Sequence, residues 1–181
     1  MAEKKRPRRT RERILETSLA LFNRFGAPRV TTADIADEMD ISPGNLYYHF
    51  RNKDEIVFEL YMAYEARVLP LYADPGERRL TVDDLWLWLH LLFEQMWQFR
   101  FLCRDLDELA ARDPRLGKRI GALLRKGAAT VVELSRGMVA AATMRASDRE
   151  IEALAENVLL VATYWSSYDR ARRAAHDDAP D

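Results

Sequence analysis

Along most of this chain apolar side chains recur every three or four positions, and no stretch of useful length alternates with the period of a strand. The pattern predicts an all-α protein. From Thr10 to Phe25, the residues Ile14, Ser18, Leu21, Phe22 and Phe25 share one helical face. Thr10 is placed to cap the start of that helix, and Gly26 and Pro28 stop it. A short second helix follows Thr31, which forms a capping-box pattern with Asp34, and it has Ile35, Ala36 and Met39 to bury. Asp40 turns the chain. Ser42 and Pro43 start a third helix, one as a cap and the other with its φ already set, and Leu46 and Phe50 face inward from it. Val30 and Ile41 complete a small core.

Asn52 and Glu55 open a fourth helix, Lys53 to about Tyr72, with Ile56, Leu60, Tyr64 and Val68 inward and a last turn that Pro70 loosens. Residues 73–79, ADPGERR, are the clearest break in the chain and read as a loop. Thr81 and Asp84 repeat the capping box ahead of Leu85, Trp86, Trp88, Leu89, Leu92, Phe93, Met96 and Trp97. That helix is apolar around more than half its circumference, which predicts a central place in the body. An interruption at Gln98 to Arg100 precedes Phe101, Leu102, Leu106 and Leu109. Asp113 and Pro114 open a helix to about residue 143, with Leu116, Ile120, Leu123, Leu124, Val131, Leu134 and Met138 inward. Gly127 lowers its helix propensity with no local return. Ser147 and Glu150 open the last helix, which runs to about Ala174, and residues 175–181 read as an acidic tail. The division is a head, residues 1–52, and a body, residues 53–181, with the helix 53–72 shared as a lever.

The two short helices on either side of Asp40 have the spacing that places a recognition helix in a major groove, although a structural hairpin has the same spacing. Charge separates the two readings. The formal net charge is −1, yet residues 3–13, EKKRPRRTRER, hold seven basic side chains (Lys4, Lys5, Arg6, Arg8, Arg9, Arg11, Arg13) against Glu3 and Glu12. A basic end of +5 on a remainder of about −6 suits an end that meets a polyanion and a body that does something else.

The segments TRERIL, FNRFG, TTADIA and ISPGNLYYHFRNKDEI, within residues 10–60, resemble the TetR-like transcriptional regulators. The resemblance implies a helical dimer, with a DNA-binding head and a ligand-binding body, that represses until a small molecule spoils the spacing of the heads. It places Thr31, Thr32, Tyr47, Tyr48, His49 and Lys53 at phosphates or the groove. Ser42, Pro43, Gly44 and Asn45 fall at the front of the recognition helix. Their chemistry agrees: hydroxyls, an imidazole and an ammonium suit phosphate oxygens, and Asn45 can pair bidentately with adenine. Family members commonly close with two helices that pair with a partner as a four-helix bundle. Here one clear helix follows Ser147. Either the chain is naturally brief, or a further segment lies outside this sequence, or the helix from Pro114 takes a pairing role.

In the body, the expected effector is apolar or aromatic, held by some of Tyr61, Tyr64, Trp86, Leu89, His90, Phe93, Met96, Trp97, Arg100, Cys103 and Trp165. His90 and Arg100 are its expected polar members, and Arg100 would suggest an anionic group on the ligand. Mutual packing of these rings is the competing reading. The expected dimer positions are Leu154, Leu159, Ala162 and Trp165, with Leu124, Val131 and Met138 from the preceding helix. No catalytic constellation, cofactor motif or metal-ligand set is legible; His90 and Glu94 alone fall short of a zinc site. Cys103 is the only cysteine, which excludes an intrachain disulfide. With no apolar run of membrane length and no signal-like segment, the expected location is the cytoplasm. The alternative to a ligand-responsive regulator is a non-specific DNA-binding or adaptor protein that senses nothing.

Overall fold

The computed structural model describes residues 6–72 and 81–177, and among these every regular element is a helix. The helices are α1 (Arg6–Phe25), α2 (Thr32–Glu38), α3 (Pro43–His49), α4 (Lys53–Val68), α5 (Val82–Gln98), α6 (Arg100–Arg104), α7 (Leu106–Arg112), α8 (Pro114–Ala140) and α9 (Asp148–Asp177). A 3-10 turn, Leu69–Tyr72, continues α4 and is the loosened end that Pro70 dictates. The expected loop at 73–79 and the last residues of the expected tail lie outside the described residues.

The starts of the helices follow side-chain chemistry. The Thr31 amide donates to Asp34 Oδ2 (2.7 Å) while the Asp34 amide donates to Thr31 Oγ1 (3.2 Å), which satisfies two exposed donors at once. These bonds, the Thr31 amide first, hold the Asp34 carboxyl below the usual carboxylate range. Thr81 with Asp84 and Ser147 with Glu150 repeat the arrangement at α5 and α9. Ser42 Oγ accepts the Asn45 amide (3.2 Å) to start α3. Thr10 is not a cap. The helix already runs from Arg6, because Pro7 is tolerated in a first turn and the arginines around it are good helix formers. Gly26, at φ +98°, ends α1 in the left-handed region, where its amide donates to Phe22 O (2.9 Å).

Ile14, Phe22, Val30, Ile35, Ala36, Leu46 and Phe50 form the head core, and α4 closes it with Ile56 and Val57. The buried cluster then continues without a break into the body. Both ends of α4 therefore contribute to one core.

Two expectations about the body fail. First, α5 is peripheral. It packs against α4, the 3-10 turn and α6 through Leu85, Trp88 and Leu92, with Trp88 Nε1 donating to Leu71 O (2.8 Å). Trp86 (65% exposed), Leu87, Phe93 and Trp97 (70%) point away. Its apolar residues encircle the helix, but neighbours cover only one side. Second, Gly127 does have a return. A Cβ there would lie 3.1 Å from Tyr72 Oη and 3.1 Å from Leu159 Cδ1, so the glycine seats the Tyr72 ring between α8 and α9. These two long helices pack along each other, burying Val131, Leu134 and Met138 of α8 with Ile151 and Ala155 of α9. No helix of the described residues is long and apolar enough to cross a membrane.

Truncating Leu46 or Phe50 to alanine should destabilise the protein by about 2–5 kcal/mol in urea denaturation, since each is fully buried in a small core. Tyr48→Ala, at a site 79% exposed, should stay within about 0.5 kcal/mol of wild type. Equal losses at all three positions would mean that α3 does not present its faces as described.

Candidate functional site

The front of α3 is a polar surface around a buried anchor. Ser42, Pro43, Gly44 and Asn45 are exposed at its first turn, while Leu46 is fully buried behind them. Tyr47 and Tyr48 are exposed as well, and Tyr48 meets His49 edge to face at 5.1 Å. Thr32 Oγ1 and Tyr47 Oη share a 3.0 Å hydrogen bond that ties α2 to α3. This outer face collects hydroxyls, an amide and an imidazole, the groups that meet phosphate oxygens and base edges. The Thr31 hydroxyl is already engaged with Asp34 (2.8 Å).

Lys53 has a structural assignment besides the expected phosphate. Its ammonium donates to the carbonyls of Ala27 (2.6 Å) and Val30 (2.9 Å), pinning the α1–α2 connection to the start of α4. Burial, then repulsion from Arg112, lowers its pKa. An ammonium has three donors, and the third meets Pro28 O at 3.5 Å, the longest of the three bonds and the one a phosphate can displace. In the basic arm, Arg11 pairs with Glu59 (2.9 Å) and lies 4.7 Å from the centre of the Phe50 ring. Arg9 and Arg13 are exposed. Lys4 and Lys5 lie outside the described residues.

Head and body are clasped at the end of α1. A helix leaves its last carbonyls short of intrahelical partners; Gly26 already serves Phe22 O, and α6 adds donors for Phe22 O and Asn23 O. Arg104 donates to Phe22 O and, at 3.3 Å, to Asn23 O. Asp105 holds the guanidinium (2.9 Å) and accepts the Ala27 amide (2.8 Å). Asn23 replies from the head, donating to Gln98 O (2.8 Å) and accepting the Phe101 amide (3.1 Å). Phe22 and Phe101 pack with ring centres 5.3 Å apart.

The other side of α6 faces a cavity of about 50 Å³ between the body helices. Leu102 and Cys103 of α6, Tyr61 and Tyr64 of α4, and Tyr72 line it. Leu92 and Met96 of α5 form one wall. Leu123 and Leu124 of α8 and Leu159, Ala162 and Thr163 of α9 form another. Four of the expected ligand residues are thus brought together: Tyr61, Tyr64, Met96 and Cys103. Leu89 packs against the core without lining the cavity. Trp86, His90, Phe93, Trp97, Arg100 and Trp165 do not reach it. The helical turn that sends Leu92 and Met96 inward sends the first four to the opposite side of α5, where Trp86 stacks on His90 at 5.2 Å. Arg100 leans 5.0 Å from the Trp97 ring centre and donates to Trp97 O, so it gives no anion site in the cavity. Trp165 is 55% exposed beside Tyr168.

The expected dimer positions also divide. Val131 and Met138 are buried within the chain, and Leu124, Leu159 and Ala162 face the cavity. Val131 and Met138 are thus covered by the chain itself, while Leu124, Leu159 and Ala162 stay partly exposed. Leu154 and Trp165 are exposed, together with Leu160, Val161, Tyr164 and Tyr168 on the same helix. Periodicity alone missed Tyr72, the Glu65–Arg119 ion pair on α4 and α8, and the Arg104–Asp105 clasp. Tyr72 followed a proline, and the charged residues looked like solvated helix surface. Only Gly127, small without a local reason, pointed toward Tyr72.

Family profiles match most of the chain. One for bacterial regulatory proteins of the tetR family covers residues 14–60, and one for a bacterial transcriptional repressor, TetR, covers residues 63–181. A TetR-family transcriptional regulator from Marinobacter aquaeolei VT8 is 36% identical and superposes with a TM-score of 0.83, over 90% of this chain and 80% of that one. The probable acrEF/envCD operon repressor of Escherichia coli (strain K12) is 35% identical over 54 residues, 30% of this chain and 24% of that protein. The HTH-type transcriptional repressor KstR2 of Mycobacterium tuberculosis (strain ATCC 25618 / H37Rv) is 38% identical over 64 residues, 35% of this chain and 32% of that protein. The match therefore spans about a quarter to a third of these two curated repressors.

Two measurements check this geometry. Lys53→Ala should lower stability by about 1–2 kcal/mol, because two carbonyls lose a partly screened charged donor. An unchanged melting temperature would contradict that pinning role. Alkaline pH tests the cavity. Burial pushes the Cys103 thiol from its usual 9 up to about 11, and the Tyr72 phenol from 10 up to about 12. Both are protonated in either state below about pH 9, so their contribution is complete there. As pH rises the unfolded chain releases these protons first, and stability is lost from 9 to about 11 and from 10 to about 12 respectively. Urea midpoints should fall steeply above about pH 9, less so in Cys103→Ala. Equal slopes in the two proteins would place the thiol in solvent.

Proposed function

This chain belongs to the TetR family of bacterial transcriptional regulators, and from that membership and its own geometry we infer a repressor released from DNA by a small molecule. It is a DNA-binding transcriptional regulator; regulators of this family are in general not enzymes. The observation that carries the finer reading is the two-sided α6. Leu102 and Cys103 face the cavity, while Arg104, next in sequence, holds the end of α1. A molecule that widens the cavity displaces α6 and α4 together, and with them the head. To release DNA it must bind the displaced shape more tightly than the DNA-binding one, since equal affinity for both shifts nothing.

In this reading residues 1–52 read the operator and residues 53–181 sense and dimerise. One head meets too few base pairs for useful specificity, so two heads on an inverted repeat are expected. The pairing surface is the exposed apolar side of α9: Leu154, Val161, Trp165 and Tyr168, with Leu160 and Tyr164 beside them. At the DNA, Ser42, Pro43, Gly44 and Asn45 face the bases. Thr31, Thr32, Tyr47, Tyr48 and His49 face phosphates, with Lys53 exchanging its long bond to Pro28 O for a phosphate.

Footprinting and sedimentation on selected DNA test this. A symmetric protected site bound by two protomers is expected. Asn45→Ala should lose about 1–3 kcal/mol of discrimination at one base pair per half-site, and Tyr48→Ala should weaken all sequences alike. Salt-dependent binding with no sequence preference would favour the non-sensing DNA-binding alternative.

A further inference from the structure

The cavity has a chemical character that limits what it takes. No residue lining it carries a formal charge. Glu65 and Arg119, the ion pair bordering it, are not lining residues; Glu65 also accepts the Tyr61 hydroxyl (3.4 Å), and Arg119 Nε is buried without a partner among the described residues. Three other hydroxyls at the lining, those of Tyr64, Tyr72 and Thr163, make no hydrogen bond to any described residue. Thr163 is only 5% exposed. A threonine within a helix ordinarily returns its hydroxyl to the carbonyl four residues back, as Thr130 does to Lys126 O (3.0 Å). Thr163 does not. A hydroxyl that faces the cavity without a protein partner is free to bond a ligand there, and a ligand that lacks a matching polar group leaves it unpaired. The two tyrosines also sit close to Cys103. The Cys103 thiol is near enough to Tyr64 and Tyr72 to oppose their ionisation, and burial, the larger effect, already keeps all three neutral.

Resting on the reading of this cavity as the effector site, we propose that its ligand is an uncharged, mainly apolar molecule of about one ring that presents a single hydroxyl or carbonyl to Tyr64, Tyr72 and Thr163. A carboxylate would give up its hydration and find no cation there. Size sets a second condition. A space of about 50 Å³ is well below the roughly 150 Å³ that holds benzene in a protein core. The ligand therefore enters by moving a wall. The wall with the least behind it is α5, which offers Leu92 and Met96 to the cavity and exposes Trp86, Phe93 and Trp97 on its far side.

The test uses the full chain and three probes of one shape at about pH 7.5: 4-ethylphenol, ethylbenzene and 4-ethylbenzoate, titrated by calorimetry. 4-Ethylphenol should bind at least about tenfold tighter than ethylbenzene, and 4-ethylbenzoate should not bind detectably, because a site built for a hydroxyl rejects the analogue lacking it. In the double variant Tyr64→Phe, Thr163→Val the ratio of phenol to hydrocarbon affinity should fall toward one, while ethylbenzene affinity stays within about twofold. That last measurement shows the variant still folds around the cavity. The proposal is overturned if the benzoate binds as well as the phenol, if the double variant keeps the wild-type ratio, or if none of the three binds the folded protein at millimolar concentration. Affinity for the footprinted DNA site is measured in parallel. Phenol binding with the expected discrimination but unchanged DNA affinity supports this ligand class and rejects the effector reading.

Discussion

The arrangement of this protein depends on the end of one helix. At the end of α1, Phe22 O takes the Gly26 amide, and the chain gives it and Asn23 O a further donor from the body. It brings Arg104 from more than seventy residues away to Phe22 O and Asn23 O, with Asp105 holding the guanidinium and taking the Ala27 amide. Both charged groups are largely withdrawn from solvent, at 16% and 10% exposure. Buried charge is tolerable only when its hydrogen-bonding capacity is used, and removing one partner of such a pair typically costs about 3–5 kcal/mol. The clasp thus fixes position more than it adds stability. Head and body share a frame through directional bonds that have few alternative registers.

That frame explains why the cavity and the head are mechanically related although their residues do not mix. Between Leu102 and Leu106 the chain alternates duties: Leu102, Cys103 and Leu106 line the cavity, and Arg104 and Asp105 grip α1. A segment so short cannot move its apolar side without moving its polar side. Lys53 adds a second tie, from the start of α4 to Ala27 O and Val30 O, close to where Asp105 holds the Ala27 amide. Two elements that line the cavity, α4 and α6, therefore converge on one short connection of the head.

How far the sequence could be read follows from the range of each interaction. Helix starts were legible because Thr31 with Asp34, Thr81 with Asp84 and Ser147 with Glu150 act within one turn. The head was legible for the same reason, with Leu46 and Phe50 inward and Tyr47 and Tyr48 outward from a short helix with a clear apolar side. The facing of α5 was not. Its apolar residues surround the helix, so periodicity selects no inner side, and distant neighbours chose Leu92 and Met96 over Trp86, Phe93 and Trp97. The same loss of information moved Val131 and Met138 from an expected interface into the intrachain core. Arg104 and Asp105 were beyond reach altogether, because their partners in the head are backbone carbonyls and a backbone amide, which nearly every residue has.

These facts together restrict how a ligand acts. The cavity is small, so a one-ring molecule has no affinity for the shape described here until a wall yields. Its binding free energy is then net of that displacement, and its preference for the widened shape over the closed one is large by construction. A roomy preformed pocket would give no such preference. In the closed shape, the hydroxyls of Tyr64, Tyr72 and Thr163 have no partner among the described residues, and the widened, occupied shape gives them one. A tight cavity with idle hydroxyls is thus a poor container and a good switch, because occupancy and change of shape cannot be separated. The clasp at Arg104 makes the head the element that registers the change.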